Sequence, residues 1–210
     1  MKVLIVKVSA LGDVVHALPV LAWLKSADAG MEIDWLVEEP FAPLLEGHPL
    51  VHRVHRLATK EWRRQGWRAA LLGAWAMVSS LRAQHYDVVL DLQGNSKSGF
   101  FTLLSGARQR YGFAAKDVRE WPNLLATNRR VELGPSQHHV AERALAVARA
   151  AFPDGTDTPL NGPLPVEDGA AGAVERQLQG LGVGQGQLVV LHYGTTWSTK
   201  LWPLDSWKAL

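Results

Sequence analysis

Three short segments hold side chains of the kinds that move protons or bind anions. The first is Ser9-Ala10-Leu11-Gly12-Asp13, which follows an apolar run. Asp13 there is either a helix cap, accepting backbone N–H bonds, or a general base that takes a proton from an attacking hydroxyl. Gly12 is compatible with close approach of a ligand to the backbone. The second is Asp91-Leu92-Gln93-Gly94-Asn95-Ser96-Lys97-Ser98, whose amide, hydroxyl and ammonium groups either line a cleft or form a capping turn. The third is Gly194-Thr195-Thr196-Trp197-Ser198-Thr199-Lys200. Hydroxyls, a glycine and one lysine suit a phosphate, and an ordinary polar turn suits them equally. Neither G-x-G-x-x-G nor the Walker spacing occurs at these places.

A fourth feature is electrostatic. Arg53, Arg56, Lys60, Arg63, Arg64 and Arg68 lie close together with Glu61 as the acidic residue among the last four. With Trp62 and Trp67 interleaved, they read as an anion-binding or membrane-surface patch, or as a solvated helix face. The formal net charge of +2 gives weak support for nucleic acid. His138, His139 and Glu142 lack H-E-x-x-H spacing, and no Asp-x-Asp pair is present, so helix N-terminal packing or substrate contact is expected there and no metal site.

The elements that must position these groups follow from periodicity. Lys2–Val8, Glu32–Glu38 and Tyr86–Leu92 are near-continuous apolar runs, as strands covered on both faces would be. Val51–Leu57 alternates like an edge strand, and Gln109–Phe113 is a short strand. Val14–Lys25 is helical with Pro19 near its start or at a kink. Trp67, Leu71, Trp75, Val78 and Leu81 mark one face of a single long helix over about 61–84. Lys97–Leu104 and Val140–Ala151 are further helices, and Gln187–Tyr193 is a final buried strand. Alternation of strands and helices predicts an α/β, doubly wound parallel sheet.

The 210 residues are 47% hydrophobic and 20% charged, a globular composition. The absence of cysteine excludes a disulfide scaffold, a thiolate metal site and a cysteine nucleophile. Lys7, Asp13 and His16 interrupt the first apolar stretch, which argues against an export signal. No window offers the roughly 18 apolar residues of a membrane span, so a cytoplasmic protein is expected.

Together these segments resemble the bacterial lipopolysaccharide heptosyltransferases, and within them the heptosyltransferase I branch. The resemblance rests on the opening Val3 to Pro19, on Trp35-Leu-Val-Glu-Glu39, on Asp91-Leu-Gln-Gly94 with Lys97-Ser98, and on Gly194 to Pro203, in order along the chain. It implies a GT-B arrangement of two Rossmann-like domains. The N-terminal one would take the Kdo-bearing lipid A precursor, and the C-terminal one ADP-L-glycero-β-D-manno-heptose. It implies inverting transfer with Asp13 as general base, and donor phosphates held by Thr195, Thr196 and Lys200. Acceptor contacts are expected at Ser9, Gly12, Lys60, Arg63, Arg64, Gln93, Lys97 and Arg119. No cofactor, no stable protein partner and peripheral contact with the anionic inner membrane are also expected.

Residues 153–186, with four prolines between Pro153 and Pro165, read as a linker with a connecting helix. That leaves 1–152 as the acceptor domain and 187–210 as the first βα unit of a truncated donor domain, so that the 210-residue chain alone is expected to lack useful turnover. Two other readings remain open: a non-catalytic α/β module docking an anionic lipid or partner, and a GT-B transferase using another nucleotide sugar.

Overall fold

The computed structural model describes residues 1–157, 169–183, 188–191, 194 and 201–209. The chain divides into two units, Met1–Pro165 and Val166–Leu210. The division falls inside the proline-rich stretch.

In the first unit six strands form one sheet: β1 (Lys2–Val6), β2 (Glu32–Glu38), β3 (Arg53–Leu57), β4 (Val88–Asp91), β5 (Gln109–Phe113) and β6 (Arg129–Val131). Their order is β3-β2-β1-β4-β5-β6, and every pairing is parallel. The α/β class expected from the alternation of strands and helices is therefore observed. Parallel strands bury both faces, which is why β1 is apolar along its length: Val3, Leu4, Ile5 and Val6 are all fully buried. Their side chains alternate between two cores. Val3, Ile5, Ile33, Trp35, Val37 and Leu90 pack beneath α1 (Leu11–Ala17), α2 (Pro19–Ala27) and α6 (Val140–Ala151). On the other face Leu4, Val6, Leu36 and Val89 pack against α4 (Trp67–Arg82) and α5 (Ser96–Leu104) through Val78, Leu81 and Phe101.

Two expected helices prove to be pairs. The run over 61–84 is broken at Gly66, whose φ of +105° only glycine adopts freely. It separates α3 (Thr59–Gln65) from α4. Likewise Pro19 opens α2 instead of lying inside one helix with Val14. A larger difference concerns the face read from Trp67, Leu71 and Trp75. Within α4 the buried residues are Val78 and Leu81 alone, whereas those three are exposed. Periodicity placed them on one side of a helix, but the sheet is reached by the second half of α4 only.

In the second unit α7 (Ala170–Gly180) corresponds to the connecting helix, and α8 (Leu204–Lys208) lies in the last helical run. Leu188–Leu191, expected in a buried strand, pair with no strand and are exposed. A strand has no stable form without neighbours to complete its ladder, and the described residues supply none there. Thr195, Thr196 and Lys200, the expected donor-phosphate residues, lie outside the described residues, as do His192 and Tyr193.

Candidate active site at the switch point of the sheet

The chain builds outward from β1 to β2 and β3, then crosses back to place β4 on the other side of β1. Connections leave β1 and β4 in opposite directions, so a crevice opens beyond their carboxyl ends, where ligands of open α/β sheets bind. The residues there are Lys7 to Asp13 and Leu92 to Gly94, the first two chemistry-bearing segments. They are about 85 positions apart in sequence and adjacent in space.

Asp91 shapes one wall. Fully buried at the end of β4, it accepts hydrogen bonds from the backbone N–H of Gln93 (3.0 Å) and Gly94 (2.9 Å) through Oδ1. Its Oδ2 accepts from Thr102 Oγ1 (3.1 Å) and Asn123 Nδ2 (2.6 Å). Burial pushes its carboxyl up, and these bonds oppose that. The turn that follows needs Gly94, whose φ is +71° and where a Cβ would meet Phe113 at 3.1 Å. Asn95 and Ser98 then form a reciprocal capping box that starts α5.

The Asp91 turn delivers Gln93 into the crevice. Gln93 Oε1 accepts from the backbone N–H of Val8 (3.1 Å) and Ser9 (3.2 Å), so the oxygen is turned toward the β1 loop. Its Nε2 is then buried without a hydrogen-bond partner among the described residues. A buried N–H₂ left unpaired costs on the order of 1–3 kcal/mol, which an incoming acceptor atom would recover.

Opposite stands Asp13. The cap position of α1 is Ala10, which makes no side-chain cap bond, and Asp13 is the third helical residue. Its carboxylate lies 3.5 Å from Lys7 Nζ. Lys7 is almost wholly buried and also donates to the Leu92 carbonyl at 3.1 Å, while Trp35 Nε1 donates to the Lys7 carbonyl. Burial pushes the Lys7 ammonium below its usual range, against the pull of Asp13 and Asp91. Asp13 itself is half-buried, open on one side. A cavity of about 260 Å³ joins Lys7, Asp13, Gln93, Phe113, Arg119 and Arg143. Arg143, on α6, lies 4.9 Å over the Phe113 ring and donates to the Asp117 carbonyl. Arg119 makes no hydrogen bond or ion pair among the described residues and is free for a ligand.

The expected site residues thus separate. Asp13, Gln93 and Arg119 share the cavity, with Ser9 held to Gln93 and Gly12 one residue from Asp13. Lys97 is elsewhere engaged: its Nζ is 2.6 Å from Glu38 Oε1, a buried carboxylate that also accepts from Thr59 Oγ1. Lys60, Arg63 and Arg64 stand exposed on α3, outside that cavity. Arg143 was absent from the sequence reading, Lys7 entered it only as an interruption of the first apolar run, and Glu38 only as the end of a strand and part of a motif. A lysine inside an apolar strand run was the one available signal for Lys7. His139 caps α6 through Nδ1 and packs edge-on against His16, in keeping with helix packing. Among the described residues no three His, Asp or Glu side chains converge as metal ligands.

Comparison with known proteins bears on this crevice. A profile of glycosyltransferase family 9 (heptosyltransferase) matches residues 74–210. The chain belongs to this family. It is 36% identical to lipopolysaccharide heptosyltransferase 1 of Pseudomonas aeruginosa and 33% identical to that of Escherichia coli K12, in each case over its whole length. It spans 57% and 63% of those two proteins. Its fold superposes on Escherichia coli heptosyltransferase WaaC with ADP-2-deoxy-2-fluoro heptose with a TM-score of 0.76 and 31% identity, covering all of this chain and 64% of that one. A family 9 glycosyltransferase from Veillonella parvula shares the fold at a TM-score of 0.79 and 14% identity.

Proposed function

We propose that this family 9 chain provides the acceptor-binding part of an inverting heptosyltransferase. The reaction moves L-glycero-D-manno-heptose from ADP-heptose to the Kdo region of a lipid A precursor during inner-core synthesis. The observation that carries this reading is the convergence of Asp13, the unpaired Gln93 amide and two arginines in one cavity at the sheet's switch point. A structural neighbour with an ADP-heptose analogue supports the donor, the relatives' names support lipopolysaccharide synthesis, and the Kdo-bearing acceptor follows from the sequence resemblance.

Asp13 accepts the proton of the acceptor hydroxyl as that oxygen attacks the anomeric carbon. ADP departs on the opposite face, which inverts the configuration. Gln93 Nε2, Arg119 and Arg143 present N–H donors to the acid groups of the acceptor, holding its hydroxyl toward Asp13. Lys7 orients the Asp13 carboxylate from beneath. Ser9 and Gly12 border the acceptor. Thr195, Thr196 and Lys200 hold the donor phosphates and stabilise the leaving diphosphate without a metal. Lys60, Arg63 and Arg64 draw the acceptor, and with it the enzyme, to the anionic inner membrane from the cytoplasmic side.

The test is a hybrid in which this chain is continued by the remaining C-terminal part of the Pseudomonas aeruginosa relative, assayed for ADP release. Asp13→Ala is expected to lower turnover by a factor of about 10²–10⁴ while ADP-heptose still binds. Normal turnover in that variant removes Asp13 from the chemistry. Arg119→Ala is expected to raise the acceptor KM more than it lowers kcat.

A further inference from the structure

The first half of α4 carries an apolar ridge that the fold leaves uncovered. Trp67, Leu71, Leu72 and Trp75 are 69%, 62%, 72% and 65% exposed. At 100° per residue, Trp67 and Leu71 fall within about 20° of the Val78 azimuth, Trp75 about 60° and Leu72 about 120° round from it, so the four form a broad stripe that continues the buried face past the end of the sheet. Isolated apolar side chains on a surface need no explanation, but four large ones within nine residues form a patch.

The charge around the patch has one sign. Between Thr59 and Arg82 the basic residues are Lys60, Arg63, Arg64, Arg68 and Arg82, and the only acid is Glu61. Glu61 is used locally: both its oxygens accept from Arg64, and Gln65 adds a further bond. No carboxylate among the described residues pairs with Lys60, Arg63 or Arg68, and the Arg68 guanidinium lies 5.4 Å over the Trp67 ring. The hairpin is also a single rigid piece. The Trp62 indole closes on Gly73, where even a Cβ would stand 2.5 Å from the ring.

We infer that the α3–α4 hairpin seats the protein on an anionic lipid bilayer. Trp67, Leu71, Leu72 and Trp75 enter the boundary between headgroups and acyl chains, and Lys60, Arg63, Arg64 and Arg68 meet the lipid phosphates. Tryptophan and leucine beside arginine and lysine are the composition of helices that lie in that boundary. A second copy of the chain does not fit the surface, because it would bring two sets of like charges together. The inference rests on the proposed lipid-borne acceptor and adds an orientation to it. Thr59, at the start of α3, is bonded to Glu38 at the carboxyl end of β2. A seated hairpin therefore holds the end of the sheet that carries the cavity toward the bilayer.

The experiment is co-sedimentation of the 210-residue chain with sugar-free vesicles of phosphatidylethanolamine and phosphatidylglycerol, and with neutral phosphatidylcholine vesicles. The wild type is expected on the anionic vesicles. Combined Trp67→Ser, Leu71→Ser, Leu72→Ser and Trp75→Ser is expected to weaken that binding at least about tenfold with an unchanged circular dichroism spectrum. A single Leu72→Asp serves if the combined variant does not fold. Lys60→Gln with Arg63→Gln is expected to cost about fivefold per charge on anionic vesicles and nothing on neutral ones. Wild-type binding by the apolar variants, or absence of binding by the wild type, overturns the inference. So does a change from dimer to monomer in the apolar variants with vesicle binding intact, which would make the ridge an interface between copies. These vesicles carry no acceptor sugar. Vesicle binding in a chain whose hybrid transfers no heptose would overturn the catalytic reading alone.

Discussion

The crevice at the ends of β1 and β4 and the α3–α4 hairpin hold similar side chains in opposite circumstances. In the crevice nearly every polar group is spoken for. Asp91 accepts four hydrogen bonds, Gln93 Oε1 accepts two, and Lys7 has a carbonyl and a carboxylate. Among the described residues two unpaired groups, Gln93 Nε2 and the Arg119 guanidinium, border the cavity, and Asn123 Oδ1, behind Asp91, is buried without a partner outside its lining. On the hairpin the reverse holds. Most charges are free, and the apolar residues are the ones without a cover. A wired site fixes geometry for one ligand pose, whereas an unwired surface offers area and charge to a partner with no fixed shape. Chemistry belongs to the first and adhesion to the second.

That contrast breaks most sharply under removal of Asp91. Asp91→Ala leaves two backbone N–H groups and the Thr102 hydroxyl without their acceptor in the interior, and takes from Asn123 Nδ2 the shortest of its bonds, with the Asn95 carbonyl and Ser98 Oγ remaining to it. A loss of about 4 kcal/mol in unfolding free energy is expected, read from the urea midpoint. Glu61→Gln on the hairpin should leave that midpoint unmoved. A small effect at Asp91 would mean that water replaces the carboxylate, and that the crevice is less closed than its geometry implies.

Acid sharpens the same point at a second buried carboxylate. Burial alone would push Asp34 up, but hydrogen bonds from His55, Tyr86 and His52 outweigh it and hold the carboxyl at about 2, against 3.8 when free. Its folded pKa is depressed, so its contribution is fully present above pH 3.8 and is lost as the pH falls through about 2. The contribution is about 2 kcal/mol. Unfolding curves of wild type and Asp34→Asn should differ by that amount near neutral pH and converge toward pH 2. Persistence of the full difference at the acid end would show that the pairing is not what sets stability there.

The framework was legible from sequence wherever burial writes a pattern. The apolar runs of β1, β2 and β4 and the alanine-rich α6 follow from sequence alone, and so does the parallel sheet. β6 was missed because it is a short exposed edge of two arginines and a valine, with no apolar pattern to detect. The helix break at Gly66 depends on a backbone angle, not on hydrophobicity. For the site, Asp13 and Gln93 were found because each follows a strand. Lys7 and Arg143 were not, because their role exists only once β1 lies beside β4 and α6 folds over both. Trp67, Leu71 and Trp75 were read as sharing a helix face with Val78 and Leu81, and their exposure was not legible because a periodic pattern states which residues share a side, not what covers that side.

The finest discrimination concerns Lys60 and Lys97, which sequence treats alike as basic acceptor contacts. Lys97 is bonded to buried Glu38, and Thr59 donates to the same oxygen. Lys97→Met leaves that carboxylate with the hydroxyl alone. Because the Lys97 side chain is 38% exposed, solvent screens part of the pair and the expected destabilisation is only about 1 kcal/mol. Lys60 has no partner among the described residues to strand, so Lys60→Met should leave stability unchanged. Salt then separates the two in the opposite sense. Vesicle binding lost through Lys60 is an exposed-charge effect and should vanish at high ionic strength, where wild type and variant become equal. The stability lost through Lys97 belongs to a buried partner and should persist in the same salt. If both losses vanish with salt, Glu38 is solvated and Lys97 joins the hairpin's free charges. If neither does, Lys60 has a fixed partner and the hairpin is wired like the crevice.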